Sequence, residues 1–317
     1  MPTPDQTFKI FRSLSALIEK LPLEVSEAVA YVAAGAIAQR QGETRATVAE
    51  NIASAIQHSP GAHVDSKLLD RMVTRTFRGY GRYWVEGAKL PELSKVQIAS
   101  RFCFAEGEEH LRGPAESGRG VIAALPHVGS WEWGGSFLDQ VGLHLTAVAE
   151  SLEPPALFEW FKEKREAMGI SIVPLDKHSG SSIAKVLASG GIVGLLCDRD
   201  IAGGGIEVDF LGRRARLPAG PATLALRSGA ALVPAACYSG LDGHHHAVIL
   251  PALDTQRRGK FREDVTRVTQ DLAHAIEVLI QRAPSQWHVF QPAFEAQASG
   301  EAVLSPGSKP TPHIESS

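Results

Sequence analysis

The chain has 317 residues, of which 44% are hydrophobic and 21% are charged, and its formal net charge is −3. This composition is typical of a globular protein that buries a core, and the near-neutral charge argues against nucleic acid as a partner. The three cysteines stand singly in apolar runs, which argues against a disulfide framework and favours reduced core residues.

No segment of the chain is predicted to direct secretion or to cross a membrane. The first residues lack a basic region followed by an apolar core. The longest nearly apolar run, Ala28 to Ala38, has eleven residues, which are too few to span a bilayer. If the protein acts on lipid, we therefore expect it to lie on the membrane surface.

Residues 1–100 are predicted to form an N-terminal helical region. Apolar residues recur at helical spacing over Thr7 to Leu21, and further helices follow over Glu24 to Gln39 and Thr44 to Gln57. These helices either pack on the main domain as ordinary core helices or form a hairpin that rests on a membrane surface.

A fourth predicted helix, Asp65 to Trp84, carries a stripe of arginines. At 100° per residue the four side chains fall within about 60° of one another. They are Arg71, Arg75, Arg78 and Arg82. The stripe is either a solvated basic face or a surface for anionic lipid or phosphate, which guanidinium groups suit.

From Gly120 onward, short apolar runs alternate with helical patterns, which predicts an α/β fold with a largely parallel sheet flanked by helices. The predicted strands are Val121–Leu125, Leu145–Ala149, Ile170–Val173, Ile192–Cys197, Ile206–Phe210, Ala231–Cys237, His246–Leu250 and His288–Phe290. The predicted helices are Glu132–Val141, Pro155–Met168, Ser181–Ser189, Pro218–Ser228 and Phe261–Arg282. We assign residues 101–295 to this α/β domain and expect residues 296–317, rich in Ser, Pro and Gly, to be a disordered tail.

One stretch of the α/β domain, GVIAALPHVGSWEWGG at Gly120 to Gly135, places a histidine near a carboxylate. His127 follows a predicted strand, and Glu132 falls in the first turn of the next helix. In open α/β sheets, ligands bind outside the carboxyl ends of the strands. A histidine and a glutamate so placed fit a general base and the carboxylate that orients it.

A later apolar run also ends in carboxylates, in the order Asp198-Arg199-Asp200. If this strand neighbours the strand before His127, Asp198 can reach the imidazole. Otherwise the two aspartates cap a turn or pair with Arg199.

Several common motifs are missing from the sequence. The glycines near Arg213 and Arg216 lack the strand–GxxxxGK[ST]–helix order of a P-loop, and no GxGxxG follows a strand. There is no GxSxG elbow for a hydrolase nucleophile. His244, His245 and His246 have no further ligand at metal spacing, which favours a turn over a metal site.

Taken in order, these motifs resemble the bacterial HtrB/LpxL-like lipid acyltransferases, and in particular the actinobacterial phosphatidylinositol mannoside acyltransferases. Pro126-His127-Val-Gly-Ser-Trp-Glu132 matches their His-x4-Asp/Glu motif. Glu150 after a strand, Arg165 on the next helix, Asp-Arg-Asp, FLGRRARLPAGPATLALRSGAALVP and PSQWHVFQP then follow in the family's order. The likeness covers roughly residues 8 to 295.

The resemblance implies a glycerol-3-phosphate-acyltransferase-like α/β fold and a peripheral enzyme on the cytoplasmic face of the plasma membrane. It implies transfer of a fatty acyl chain from acyl-CoA to a sugar hydroxyl of a glycolipid. Lipid A enzymes usually carry a long N-terminal anchor, and its absence here favours a mannose of a phosphatidylinositol mannoside as acceptor. The alternatives are a lipid A-type late acyltransferase that uses acyl-ACP, or a non-catalytic protein that binds acyl-CoA or lipid.

The resemblance also assigns roles to residues near the predicted strand ends. His127 is the general base, and either Glu132 or Asp198 completes a dyad with it. Backbone N–H groups around Ser130 to Glu132 are candidates to hold the oxyanion of the thioester.

Five further residues are assigned to substrate binding. Glu150 and Arg165 correspond to the family's polar groups in the acceptor-sugar region. Arg199, or Arg213 and Arg216, are expected to meet phosphates of coenzyme A or lipid. The chemistry requires neither a metal nor another cofactor.

Overall fold

The computed structural model describes residues 4–58, 64–150, 154–200, 203–240 and 242–295. The helices in these ranges are α1 (Pro4–Glu19), α2 (Leu23–Ala38), α3 (Gly42–Gln57), α4 (Ser66–Lys89), α5 (Lys95–Ser100), α6 (Glu108–Glu116), α7 (Trp131–Gln140), α8 (Pro155–Ala167), α9 (Ser179–Ala188), α10 (Gly220–Ser228) and α11 (Phe261–Arg282). The strands are β1 (Phe102–Glu106), β2 (Val121–Leu125), β3 (Leu145–Ala149), β4 (Ile170–Pro174), β5 (Ile192–Leu196), β6 (Ile206–Phe210), β7 (Arg213–Leu217), β8 (Ala231–Ser239) and β9 (His245–Ile249). Short 3-10 turns lie at Leu90–Glu92 and Pro284–Gln286.

Seven of these strands form one sheet in the order β1-β9-β8-β2-β5-β3-β4. The strands from β8 to β4 run parallel to one another, whereas β9 is antiparallel to β8 and parallel to β1. The remaining two, β6 and β7, form a separate antiparallel hairpin. The prediction of an α/β fold with a largely parallel sheet and N-terminal helices is confirmed.

Helices cover both faces of the sheet around its central strand, β2. Its second and fourth residues, Ile122 and Ala124, pack in a core that also contains side chains of α9, α10 and α11. Its other three residues point to the opposite face and pack in a second core with side chains of α7. All five residues of β2 are therefore buried, and the end of the strand is held in a fixed position.

The N-terminal helices join this domain through α4, against which α2 packs along its length. Small residues allow the two helices to approach closely, because a Cβ on Gly81 would lie 2.8 Å from the Cβ of Ala34. Several apolar side chains of α1 and α2 remain exposed, namely Leu14, Leu17, Val25, Val29, Val32 and Ile37. None of the described helices is long and apolar enough to cross a bilayer.

The predicted arginine stripe is not a continuous basic surface. Arg71 and Arg75 are exposed. Arg78 lies over the ring of Tyr31 on α2, 4.6 Å from its centroid. The Nε of Arg82 lies 2.6 Å from a carboxylate oxygen of the buried Glu86, so this arginine serves the helix packing.

The structure differs from the sequence-based predictions at several short elements. Residues 288–290, predicted to be a strand, pair with no strand; instead Phe290 packs edge-on against Phe77 of α4, with ring centroids 5.0 Å apart. The elements β1, α5, α6 and β7 were not predicted, and Cys103 on β1 is exposed. The predicted tail, residues 296–317, lies outside the described residues.

The turn between β2 and α7 depends on Gly129, whose φ of 59° lies in the left-handed region. A Cβ at this position would stand 2.0 Å from the carbonyl oxygen of Cys237, which no side chain can tolerate. Gly142 also has a positive φ, 78°, but a Cβ there would meet nothing within 4 Å.

We therefore expect Gly129→Ala to lower the free energy of unfolding clearly more than Gly142→Ala. The control should lose about 1 kcal/mol, the cost of a left-handed alanine alone. Urea denaturation of both variants measures the difference. Equal losses would show that the turn can shift away from β8.

Candidate active site

Adjacent parallel strands bring His127 and Asp198 together. In the register of β2 and β5, Leu125 is paired with Leu196, and each site residue lies two positions further on. The Nδ1 of His127 lies 2.5 Å from Oδ1 of Asp198. The backbone N–H of His127 donates to the other carboxylate oxygen, Oδ2, at 2.9 Å.

The carboxylate of Asp198 is buried but well provided with hydrogen-bond donors. Besides His127, the indole N–H of Trp287 donates to Oδ2 at 2.7 Å. Burial alone would raise the pKa of Asp198, but the charge of His127 and these hydrogen bonds outweigh it and lower the pKa below its ordinary value. Asp198 is therefore ionised at neutral pH and fixes both the ring and the backbone of His127.

The carboxylate of the His-x4-Glu motif serves different partners. Oε1 of Glu132 accepts hydrogen bonds from the hydroxyl of Tyr83 at 2.7 Å and from Nη2 of Arg165 at 3.2 Å. Burial, followed by the negative charge of Glu132, raises the pKa of Tyr83 well above its ordinary value, so its hydroxyl stays a donor. Of the two carboxylates predicted from the sequence, Asp198 contacts the ring of His127.

A second histidine stands beside the first. The backbone N–H of His288 donates to the carbonyl oxygen of His127 at 2.7 Å. Its buried Nε2 has no hydrogen-bond partner within the described part of the chain. Burial, and next to it the charge of His127, lower the pKa of His288 to about 3, so this imidazole is neutral under ordinary conditions.

His127 and His288 line a cavity of about 1050 Å³. Close to them the lining is polar and includes Glu150, Arg165 and Arg199. The residues that α9, β5 and α10 contribute to the lining include the small or apolar side chains of Ile183, Ala184, Ala188, Leu195 and Leu224, together with the polar Thr223 and Arg227. We call the part of the cavity that is lined by the two histidines, Glu150, Arg165 and Arg199 the polar chamber, and the part that is lined by the apolar side chains of α9, β5 and α10 the apolar channel.

The structure places two of the predicted substrate-binding residues outside the lining of this cavity. Arg213 and Arg216 are not among the residues that line the cavity. Arg213 pairs with Glu50 of α3 at 2.5 Å, and Arg216 pairs with Glu295 at 2.8 Å. Both arginines lie on β7, and their pairs tie the β6–β7 hairpin to its surroundings.

Some of the backbone amides that were expected to bind an oxyanion already donate hydrogen bonds within the protein. The amide of Gly129 donates to the carbonyl oxygen of Gln286 at 3.0 Å, and that of Ser130 donates to Cys237 at 3.1 Å. The amides of Trp131 and Glu132 open α7, where the helix itself offers no acceptor.

The three consecutive histidines point in different directions. His244 pairs with Asp242, whereas the buried His245 stacks on Trp133, with ring centroids 4.3 Å apart. Within the described ranges, no group of His, Cys, Asp and Glu side chains is arranged to hold a metal ion.

Sequence reasoning missed Trp287, His288 and Tyr83 as members of the site. The segment PSQWHVFQP was singled out as a motif, but nothing in it indicated which residues turn toward Asp198 and His127. Tyr83 lies on the fourth predicted helix, where no pattern in the sequence indicated a contact with Glu132.

The low pKa of His288 gives stability a predictable dependence on pH. In the unfolded chain its imidazole binds a proton below its ordinary pKa of 6.5, whereas in the folded protein it stays neutral down to about 3. The unfolded state therefore binds more protons in this window, and the free energy of unfolding falls as the pH falls. We expect His288→Phe to lose stability less steeply across the window in urea denaturation. An unchanged slope would contradict this account.

Comparison with known proteins shows the family of the chain. The sequence profile of the family described as bacterial lipid A biosynthesis acyltransferase matches residues 9–296. The chain is 35% identical over 235 residues to the phosphatidylinositol mannoside acyltransferase of Mycolicibacterium smegmatis, covering 73% of this chain and 75% of that protein. It is 35% identical over 234 residues to the protein of the same name from Mycobacterium tuberculosis, covering 73% and 72%. The resemblance predicted from the sequence is confirmed, and the chain belongs to the bacterial lipid A biosynthesis acyltransferase family.

Proposed function

We propose that the protein moves a fatty acyl chain from acyl-CoA to a sugar hydroxyl of a glycolipid, with a mannose of a phosphatidylinositol mannoside as acceptor. The observation that carries the proposal is the His127–Asp198 pair, which stands beside a cavity with a polar chamber and an apolar channel. The names of the two mycobacterial relatives support this choice of acceptor.

The dyad suits removal of a proton from an alcohol. Because Nδ1 of His127 faces Asp198, Nε2 is the ring nitrogen left to accept a proton. An alcohol attacks a thioester only as a base takes its proton, since its pKa lies far above that of imidazole. His127 takes the hydroxyl proton while the acceptor oxygen bonds to the carbonyl carbon. The C–S bond then breaks, and the leaving thiolate takes a proton from the imidazolium. No acyl-enzyme forms.

The negative charge that develops on the thioester oxygen needs hydrogen-bond donors. We assign this role to the amides at the start of α7, on Trp131 and Glu132, together with the neutral imidazole of His288. Trp131 and His288 line the cavity beside His127. Because the imidazole of His288 carries no charge, it can donate a hydrogen bond without repelling the imidazolium of His127.

The two parts of the cavity suit the two substrates. Its volume of about 1050 Å³ lies at the upper end of the roughly 300–1000 Å³ that is usual for ligand sites, which suits a large substrate such as an acyl donor. The apolar channel between α9 and α10 takes the fatty acyl chain. In the polar chamber, Glu150 and Arg165 bind the acceptor sugar, and Arg199 meets a phosphate of coenzyme A or lipid.

The exposed apolar residues of α1 and α2 support docking to the cytoplasmic face of the plasma membrane. On α2, Val25, Val29 and Val32 follow one another at helical spacing, and Val32 is 69% exposed. Exposed basic residues, including Arg12 and Arg40, flank this surface and suit anionic headgroups.

Exchanging each carboxylate for its amide tests the mechanism. We expect Asp198→Asn to lower kcat by about 10²- to 10⁴-fold, because the amide no longer holds the base or stabilises its charged form. Glu132→Gln keeps the dyad, and we expect it mainly to raise the KM for the acceptor through a displaced Arg165. Transfer is measured from radiolabelled acyl-CoA to a phosphatidylinositol mannoside.

The control for this experiment is His127→Ala, which should abolish transfer while acyl-CoA still binds. If wild-type protein binds acyl-CoA but transfers nothing, the protein is a binding protein. If Glu132→Gln lowers kcat as much as Asp198→Asn, the motif glutamate belongs to the base after all.

Membrane docking is tested by sedimentation with vesicles that contain phosphatidylinositol. We expect the double variant Val29→Asp/Val32→Asp to lose at least about tenfold in vesicle affinity, since each buried valine is worth about 1.5 kcal/mol or more. Val278→Asp, at an exposed valine of α11, is the matched control and should pellet like wild type. Salt should weaken binding by wild type. Equal pelleting of all three proteins would place the membrane surface elsewhere.

A further inference from the structure

A second cavity, of about 130 Å³, lies next to the polar chamber of the first. Four residues line both cavities and form the wall between them: Tyr83, Trp84, Phe161 and Arg165. The rest of the second cavity is lined by residues of α1, α4 and α8 together with Glu132 and Met168. An engineered cavity of about 150 Å³ holds one benzene ring, so this cavity is close to the size of one six-membered ring without its substituents, which would have to extend through its opening.

The carboxyl group of Glu132 is only half satisfied where it lines this cavity. Its hydrogen bonds from Tyr83 and Arg165 both end on Oε1. Oε2 has no hydrogen-bond partner among the described residues, although the side chain is only 3% exposed. A buried acceptor without a donor is costly, so a ligand hydroxyl at this position would be strongly favoured.

The rest of the lining suits a ring that has apolar faces and polar edges. Trp84 and Phe161 stand with ring centroids 5.6 Å apart, and Trp160 lies 4.8 Å from Phe161. These aromatic rings offer flat surfaces to the C–H faces of a ring. Lys164 also lines the cavity and adds a cation that can bond to hydroxyl groups.

We propose that this cavity is a subsite for a six-membered polyol ring, a sugar or an inositol, which donates a hydroxyl hydrogen bond to Oε2 of Glu132. The proposal rests on the proposed function in one respect, because a glycolipid headgroup with several rings would supply such a ring beside the one that is acylated. Through Glu132 the ring would also set the position of Arg165 in the polar chamber.

Methionine methyl groups provide a local probe that needs no enzyme activity. The chain contains three methionines, Met1, Met72 and Met168, and of these Met168 lines the small cavity. Met72 packs with the helical core around Phe77 and serves as an internal reference. With [methyl-¹³C]methionine in the full-length protein, the Met168 signal is assigned by its loss in Met168→Leu. The labelled protein is then titrated with myo-inositol, methyl α-D-mannopyranoside and cyclohexanol.

Two glycine variants locate the ligand. Gly87 lines the small cavity, and a Cβ there would meet nothing within 4 Å, so the side chain of Gly87→Leu starts in open space and is expected to occupy the cavity. Gly113 of α6 is equally free of neighbours but is exposed on the surface, so Gly113→Leu is the matched control. Leucine suits a helix better than glycine, and both variants should fold.

We expect a saturable shift of the Met168 signal with at least one polyol, no shift of Met72, loss of the response in Gly87→Leu and its retention in Gly113→Leu. Glu132→Gln should raise the dissociation constant of the polyol about tenfold, as for a lost hydrogen bond to a charged group.

A response to myo-inositol alone or to the mannoside alone identifies the ring. The proposal is overturned by no response, by a response only to cyclohexanol, or by a response that persists in Gly87→Leu. Each of these outcomes is independent of whether acyl transfer occurs.

Discussion

The pairing of β2 with β5 is the constraint on which the active site depends. Two parallel strands in register present their following residues side by side, and here those residues are a histidine and an aspartate. Asp198 binds the ring of His127, its backbone amide and the indole of Trp287 at once. A buried carboxylate with this many donors is stable as an anion, and it holds the imidazole of His127 in one orientation.

The two carboxylates of the site have separate tasks. Asp198 orients the imidazole of His127, whereas Glu132 holds a tyrosine and an arginine in the wall of the cavity. Since Tyr83 comes from α4, the N-terminal helices contribute directly to the site. The same helix supplies Glu86, which is buried between Arg82 and His245 beside the turn that joins β2 to α7. Such a buried network adds little stability, but it restricts how α4 can sit on the sheet.

Much of this arrangement could be predicted from the sequence, because the strands of a parallel sheet are continuous apolar runs with clear ends. The ends of β2 and β5 were visible as Pro126 and Asp198. The sequence does not indicate which strands are neighbours, because β5 follows β2 by more than sixty residues in the chain. For that reason the sequence could not decide whether Glu132 or Asp198 contacts the ring of His127.

Local sequence patterns failed where tertiary contacts decide the structure. Arg213 and Arg216 lie beside glycines that suggest a phosphate site, yet their partners are carboxylates from distant parts of the chain. Phe290 has strand-forming neighbours but packs on a helix.

The turn after α11 supplies the last contacts of the site: Trp287 binds Asp198, His288 binds the carbonyl of His127, and Gln286 accepts a hydrogen bond from Gly129. Trp287 follows Asp198 by 89 residues. Since a ribosome adds about 5–20 residues per second, both halves of the dyad emerge several seconds before the segment that fixes them. During synthesis the growing chain therefore carries His127 and Asp198 without the contacts that align them. The contacts around His127 are therefore complete only when nearly the whole domain has left the ribosome.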